Sequence, residues 1–210
     1  MIEVRTAYRV RMPDAEGPVE ELAQQCREQV WPILGWQGRF QQMLQGRSQQ
    51  SIFVWSFQWA GLAEWQQAMA DAEACDEYRT WRDEIAPRLL YGAGQEIFTV
   101  IDPAGGTATP LDNTPRRIEV RSSYIARVDR LEAARELMVR TQGIAGWSGQ
   151  NQEMLCGSAA PGMFVWSSTW DNMTLWEAAM GADDDDLEAW FGDWVATVDF
   201  GGTREVFRNL

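Results

Sequence analysis

The chain has 210 residues, a hydrophobic fraction of 45% and a formal net charge of −13. These values are typical of a soluble globular protein with a real core and argue against a disordered chain. The negative charge also argues against nucleic acid as a partner, because the phosphate backbone would be repelled.

Two residue types are missing, and their absence restricts the chemistry. There is no histidine, and all 18 basic residues are arginine. No His can therefore act as a general base or metal ligand, and no Lys can form a Schiff base. Cys26, Cys75 and Cys156 have unrelated spacings that match neither a disulfide framework nor a zinc site. We expect no metal site and no catalytic cysteine.

The first segment, MIEVRTAYRVRMPDAEG, alternates polar and apolar residues. It contains no unbroken apolar run of the kind that signal peptides and membrane helices need. We therefore expect a cytoplasmic protein with no membrane partner.

The elements of the first half follow from the period of its apolar residues. IEVRTAYRV predicts a strand, residues 14–31 an amphipathic helix, and GWQGRFQQMLQG and SIFVWSFQW two strands joined by a turn. GLAEWQQAMA and DEYRTWRDEIAPRLL predict a helical stretch, and QEIFTVI a last strand. The order β-α-β-β-α-β is that of the ferredoxin-like motif.

The second half repeats the first. IEVRTAY (2–8) returns as IEVRSSY (118–124), and FVWSFQW (53–59) returns as FVWSSTW (164–170). Ten of the twelve tryptophans form pairs, and only Trp31 and Trp194 have no counterpart. In this alignment Cys26 falls near Leu137.

Such self-similarity predicts a duplicated architecture. We predict an α+β fold of two tandem ferredoxin-like repeats, 1–101 and 116–210, joined by a Pro-, Gly- and Thr-rich linker at 102–115. The helices of each repeat cover one face of its sheet, and the bare faces of the two sheets are expected to pack on each other. The single chain then forms an intramolecular barrel.

Two short patterns are similar to those of a known family. They are E-x-R on the first strand and WAGLAEW (59–65) at the end of the third. They resemble the NIPSNAP-like and antibiotic-biosynthesis-monooxygenase-like branches of the dimeric α+β barrel superfamily. The resemblance covers both repeats. It implies the fold more firmly than a reaction, because the superfamily contains cofactor-free oxygenases, haem-degrading enzymes, cyclases and members without known chemistry.

The haem-degrading members use a histidine that this sequence lacks, so we expect no cofactor. The cofactor-free oxygenases use Trp, Tyr, Asn and Arg around an aromatic substrate. The resemblance therefore implies a cofactor-independent monooxygenase or cyclase acting on a hydrophobic, aromatic small molecule. The alternative is a non-catalytic ligand-binding or scaffold protein of the same fold. Whether the fused unit forms a further homo-oligomer stays open.

The aromatic residues of the third strands are the first candidates for a binding site. Phe53, Trp55, Phe57 and Trp59 share one face of the predicted strand. They either form core beneath the helices or wall a pocket between helices and sheet. The candidate substrate-binding residues are Trp55, Trp65, Trp81, Trp166 and Trp176.

Tyr8 and Tyr124 are the candidate catalytic residues. Each ends a first strand on the face of its apolar residues. A buried phenol either satisfies a backbone group or points into a polar pocket. In a catalytic role it would donate to an oxyanion or ketone, and a neighbouring Arg would lower its pKa.

Glu3 with Arg5, and Glu119 with Arg121, lie on the opposite face of the first strands. They form ion pairs between the repeats or line a wet centre in which Arg5 and Arg121 bind a ligand carboxylate. The run Asp183–Asp186 lacks the spacing of a calcium loop. It predicts a solvated loop with an N-cap for the next helix.

Overall fold

The computed structural model describes residues 1–11, 16–46, 52–101, 112–141, 144, 149–157, 162–182 and 184–210. Side chains are not described at 16, 91–93, 200 and 201. Most of the predicted linker, together with Trp147 and Asp183, lies outside the described residues.

The first half (residues 1–101) has the predicted order of elements. They are β1 (Ile2–Val10), α1 (Glu16–Gln25), α2 (Trp31–Leu34), β2 (Gly38–Gln45), β3 (Ile52–Trp59), α3 (Leu62–Ala74), α4 (Asp76–Ile85) and β4 (Leu89–Ile101). A π-helical segment, Cys26–Val30, joins α1 to α2, so the predicted helix 14–31 continues to residue 34. The helical stretch predicted through residue 90 was too long. A 3-10 turn with Pro87 follows α4, and β4 begins at Leu89, because proline disrupts a helix interior.

The second half (residues 116–210) has the same order. Its elements are β5 (Ile118–Ala126), α5 (Leu131–Thr141), β6 (Gly149–Cys156), β7 (Met163–Trp170), α6 (Met173–Met180), α7 (Asp185–Thr197) and β8 (Val198–Asn209). None of the described helices has the length and apolar character needed to span a bilayer.

The strands form a closed antiparallel barrel in the order β1-β3-β2-β8-β5-β7-β6-β4. The inner faces of the two halves meet inside this barrel, as expected, for example where the Gln152 amide donates to Glu3. The way in which the sheets also join each other was not predicted. The halves join edge to edge, β2 with β8 and β4 with β6. Edge pairing satisfies backbone groups that two open sheets would leave unpaired.

The helices cover the outside of the barrel. Val19, Ala23 and Cys26 of the first helical segment pack on Phe53 and Trp55 of β3 in one apolar cluster. The prediction that the aromatic face of the third strand lies beneath helices is therefore confirmed in this half. Successive strand residues point to opposite faces, so the alternate positions face the barrel interior.

Two hydrogen bonds correct the alignment of the first helices. The indole N–H of Trp81 donates to the Leu22 carbonyl at 2.7 Å, and that of Trp190 donates to the Leu137 carbonyl at 2.9 Å. Leu137 thus corresponds to Leu22 and not to Cys26. The extra residues of the first half follow α1, where the π-helical segment and α2 add Trp31 to the core.

Candidate functional site

A cavity of about 220 Å³ lies between the helices and the sheet of the first half. Its aromatic lining residues are Tyr8, Phe40, Phe53, Trp55, Tyr78 and Trp81. Aliphatic residues from α1, α4 and the start of β4 complete the wall, together with Arg82. We call it the first-half cavity.

The rings of the cavity wall hold one another in place. Trp55 stacks on Trp81 with centroids 4.6 Å apart, and Tyr8 meets Trp55 edge to face at 5.7 Å. Phe40 stacks on Phe53 at 5.4 Å. Offset and edge-to-face contacts of this kind add to the stabilisation that burial provides. The wall therefore presents flat apolar surfaces that are in contact with one another.

Of the two predicted catalytic residues, Tyr8 lines this cavity. Burial, with smaller contributions from Tyr78 and Cys26, raises the pKa of its phenol well above the ordinary value. The expectation that an arginine lowers this pKa was wrong. Tyr8 therefore stays protonated near neutral pH, and it can donate a hydrogen bond but cannot act as a base.

The other polar groups of the lining lie on α4. Burial raises the pKa of the Tyr78 phenol as well. Arg82 forms an ion pair with Glu73, and its side chain is partly exposed. The described lining contains no carboxylate and no thiol. Its chemistry is thus hydrogen-bond donation next to an apolar surface.

The corresponding region of the second half is packed. Trp194 is fully buried and contacts Tyr124 edge to face at 5.3 Å. It stacks on Trp190 at 5.4 Å, and Trp166 lies 4.9 Å from Trp190. Burial raises the pKa of Tyr124 too, while Ser122 and Arg204 lower it by less. The predicted residues Trp166 and Tyr124 therefore belong to a filled core.

Two predicted substrate-binding residues lie elsewhere. Trp65 packs with Ile2, Val4 and Ile97 on the outer face of the barrel. Trp176 packs with Ile118, Val120 and Val206 in the equivalent cluster, with Arg204 above its ring at 4.6 Å. Neither indole lines the first-half cavity.

Arg5 and Arg121 lie inside the barrel, on the other side of the sheet from the cavity. Arg5 pairs with Glu3 at 2.7 Å, and Arg121 pairs with Glu119 at 3.0 Å. All four side chains are buried. The predicted ion pairs are thus present. Arg5 and Arg121 do not line the first-half cavity.

Arg39, which was not among the predicted site residues, joins the two ion pairs. Its guanidinium lies 3.3 Å from Glu3 and 2.9 Å from Glu119. Burial alone would raise the pKa of Glu119, but Arg121 and Arg39 lower it well below its ordinary value. Arg39 alternates with Phe40 on β2, so strand period alone would have placed it on the inner face.

The remaining candidates do not form a site. Asp184 is the N-cap of α7, as predicted for the acidic run, and accepts from the backbone N–H groups of Asp186 and Leu187. Burial raises the pKa of Cys26 to about 12, so its thiol stays protonated. Among the described residues no group of acidic, Cys or His side chains is arranged to hold a metal ion.

Sequence comparison identifies no relative: no protein-family model and no curated protein matches the chain. Solved structures do match. A candidate monooxygenase from Fusobacterium nucleatum aligns with a TM-score of 0.68 and 9% identity over all of this chain and 92% of its own. A candidate monooxygenase from Lactobacillus acidophilus gives 0.66 and 8%, over 100% and 93%.

An anthrone oxidase-like protein aligns with a TM-score of 0.61 and 13% identity, over all of this chain and 91% of its own. At such low sequence identities, a structural match indicates a shared fold and does not indicate a shared reaction. Together with the closed barrel and its outer helices, these matches show that the chain has the dimeric α+β barrel fold.

Proposed function

We propose that the chain is a cofactor-independent enzyme of the monooxygenase type that acts on a hydrophobic, aromatic small molecule in the first-half cavity. The observation that carries this proposal is the cavity itself: about 220 Å³ walled by aromatic rings, with the protonated phenol of Tyr8 in its lining. Ligand sites are typically apolar concavities with a few placed polar groups. At about 220 Å³ the cavity is smaller than the roughly 300–1,000 Å³ of most ligand pockets, so it suits a small ligand of about two fused rings.

The proposed chemistry follows from the polar group that is present. A protonated Tyr8 can donate to a ketone or enolate oxygen of the substrate and stabilise negative charge that develops there. The surrounding rings exclude water and hold a planar substrate against that donor. In such a reaction an electron-rich CH₂ group and O₂ give a ketone and water, so the substrate supplies the electrons.

We also infer that residues 1–101 and 116–210 are two ferredoxin-like units joined by the linker 102–115. The matching order of elements and the equivalent Trp81 and Trp190 hydrogen bonds support this inference. The finer assignment to a NIPSNAP-like or monooxygenase-like branch stays a prediction, as does the cytoplasmic location. One working cavity per chain is expected, since Trp194 fills the second.

The rival function is binding without turnover. The described lining lacks any group whose pKa lies near neutrality, which favours a protein that only holds its ligand. The two functions share the cavity and differ in oxygen consumption.

A binding screen coupled to an oxygen electrode tests both. Naphthols and anthrone are titrated against the tryptophan fluorescence of the chain, and O₂ uptake and products are then followed for each binder. Binding with O₂ uptake supports the enzyme, and binding without uptake supports the rival. Ile85→Trp, which copies Trp194 into the first half, should abolish binding. Val128→Trp adds an indole at an exposed position and should bind normally.

The matched pair Tyr8→Phe and Tyr124→Phe tests the donor. Loss of one oxyanion donor costs about 10²–10³ in kcat, so Tyr8→Phe should lose turnover by about that factor while it retains binding. Tyr124→Phe should leave kcat unchanged, because its ring packs on Trp194. Equal turnover by both variants would remove Tyr8 from the mechanism.

A further inference from the structure

A second concavity, of about 530 Å³, opens between α1 and the end of β8. Three arginines, Arg27, Arg116 and Arg208, line it together with the acidic side chain of Glu20, and Leu210, the last residue of the sequence, lies there too. We call it the arginine cleft. The chain as a whole carries a net charge of −13, so a locally positive concavity needs a separate explanation.

Arg116 is the most available of the three guanidinium groups. It is exposed, and among the described residues its side chain has no hydrogen-bond or ion-pair partner. Its backbone has a φ of 68°, a left-handed conformation that is uncommon for a residue with a side chain. The backbone N–H of Arg116 donates to the Asn209 carbonyl at 2.9 Å, which fixes the residue beside β8. Such outliers are often found at ligand sites.

The other two arginines are partly engaged. Arg27 donates to the main-chain oxygen of Leu210, the last residue of the sequence. Arg208 lies 3.4 Å from Glu20 and donates to Gln42 as well, yet 41% of its side chain is exposed. Since Arg208 faces Glu20 and Arg27 faces the last residue, the unpaired positive charge of the described wall is that of Arg116. Guanidinium groups pair with carboxylates in a planar, two-point geometry.

The cleft and the first-half cavity share a wall. Phe40 lines both, and on α1 Val19 lines the cavity while Ala23, one helical turn later, lines the cleft. Phe40 is the residue that the two linings have in common. A ligand that places its rings beside Tyr8 would have the cleft within reach of a short side chain.

The second half has different residues at the equivalent positions. Met138 stands where the first half has Ala23 and is fully buried. Asn151 stands where the first half has Phe40, and its amide donates to the Met138 carbonyl. The small Ala23 and the ring of Phe40 thus occur in the half that has the cavity.

We infer that the ligand is an aromatic carboxylate, whose rings occupy the first-half cavity and whose carboxylate lies in the arginine cleft. This inference rests on the proposed function and narrows its substrate class. Arg116 provides the unpaired charge, Arg27 adds a second donor, and the side chain runs past Phe40, which lines both spaces. The arginines act on binding and not on the oxidation step.

Matched naphthyl compounds test the inference. The probes are 2-naphthoate and ω-(2-naphthyl)alkanoates of increasing length, each paired with its neutral primary amide, and affinities are measured by tryptophan fluorescence at low and high salt. At least one carboxylate should bind about tenfold more tightly than its amide. Added salt should reduce this preference, because the cleft is open to solvent.

Variants separate the two proposals. Arg116→Gln and Arg27→Gln should remove the carboxylate preference and leave amide binding unchanged, whereas the charge-matched control Arg130→Gln, an exposed residue away from the cleft, should change neither. If carboxylates and amides bind alike in the wild type, or if the preference survives both variants, the inference is wrong while the cavity proposal stands. If neither carboxylates nor amides bind, both proposals are wrong.

Discussion

In the first half, Ile85 leaves a cavity of about 220 Å³ beside Tyr8, whereas in the second half the bulkier Trp194 packs against Tyr124 at 5.3 Å. Ile85 and Trp194 are equivalent positions, because each lies four residues after the paired residues Trp81 and Trp190. One fold thus tolerates both a cavity and a filled core at the same place. The cavity is therefore not imposed by the architecture.

The polar residues around Ile85 and Trp194 differ between the halves as well. Tyr78 and Arg82 of α4 correspond to Leu187 and Phe191 of α7. The first half keeps hydrogen-bond donors at the cavity, while the second half has apolar side chains. An empty, polar-edged space lowers stability compared with a packed core. The contrast favours a division of roles, with a ligand site in one half and a stabilising core in the other.

The largest expected effect is a loss of stability when a charged residue inside the barrel is replaced. Glu119 accepts from Arg39 and Arg121 and from Gln41, all buried. Glu119→Gln would leave these guanidinium groups with too little negative charge, and breaking a buried pair costs about 3–5 kcal/mol. Urea unfolding should show this loss. Glu3→Gln should cost less, because Arg39 lies closer to Glu119 than to Glu3.

The pH dependence provides a second readout of Glu119. Its pKa is lowered in the folded state, so its contribution to stability is present above the pKa of the unfolded chain, about 4.3, and is lost as the pH falls. Glu119→Gln should flatten the acid limb of the stability curve. Glu132→Gln, which removes an exposed partner of Arg135, should change the stability by less than about 1 kcal/mol. A similar loss for both variants would contradict the buried network.

Trp194→Ile should open a cavity in the second half like the one beside Ile85 in the first half. Replacing a buried Trp by Ala costs about 3–5 kcal/mol, and Ile, which retains part of the volume, should cost about 3 kcal/mol. The same variant should gain a second binding site for 2-naphthamide, measured as a doubled stoichiometry. Val195→Ala, one residue along and exposed, should change neither. A stable variant with unchanged stoichiometry would show that the second half collapses around the gap.

Much of this fold follows from patterns within single segments. The period of IEVRTAYRV and of FVWSFQW placed the aromatic residues beneath the helices and the charged residues on the other face, as observed. The repeated segments indicated the same order of elements in both halves. These features depend on local spacing, which a sequence displays directly.

Features that depend on several segments at once were missed. The bridge of Arg39 to Glu119 needs β2 and β5 to meet across the barrel. The difference between cavity and filled core depends on the summed volumes of side chains from two helices and two strands. Even so, the unpaired Trp194 in the alignment was a signal that the two halves differ at this position.

The smallest expected effect concerns the start of the last helix in each half. Asp184 caps α7 and accepts from the N–H groups of Asp186 and Leu187 at 3.0 and 3.1 Å. The equivalent N-cap of α4 is Cys75, which has suitable extended backbone angles and makes no side-chain cap. Asp184→Ala should therefore lower the free energy of unfolding by about 1 kcal/mol.

Installing a cap in the first half should have the opposite sign. Cys75→Asn supplies a capping oxygen without charge and should raise the free energy of unfolding by about 0.5–1 kcal/mol. Cys75→Asp should gain less, because its charge lies next to Asp76 and Glu77 in a chain of net charge −13, and added salt should reduce that difference. If thermal unfolding of Cys75→Asn shows no gain, the backbone at Cys75 does not present its side chain to the free N–H groups of α4, and the two helix starts differ in geometry as well as in residue type.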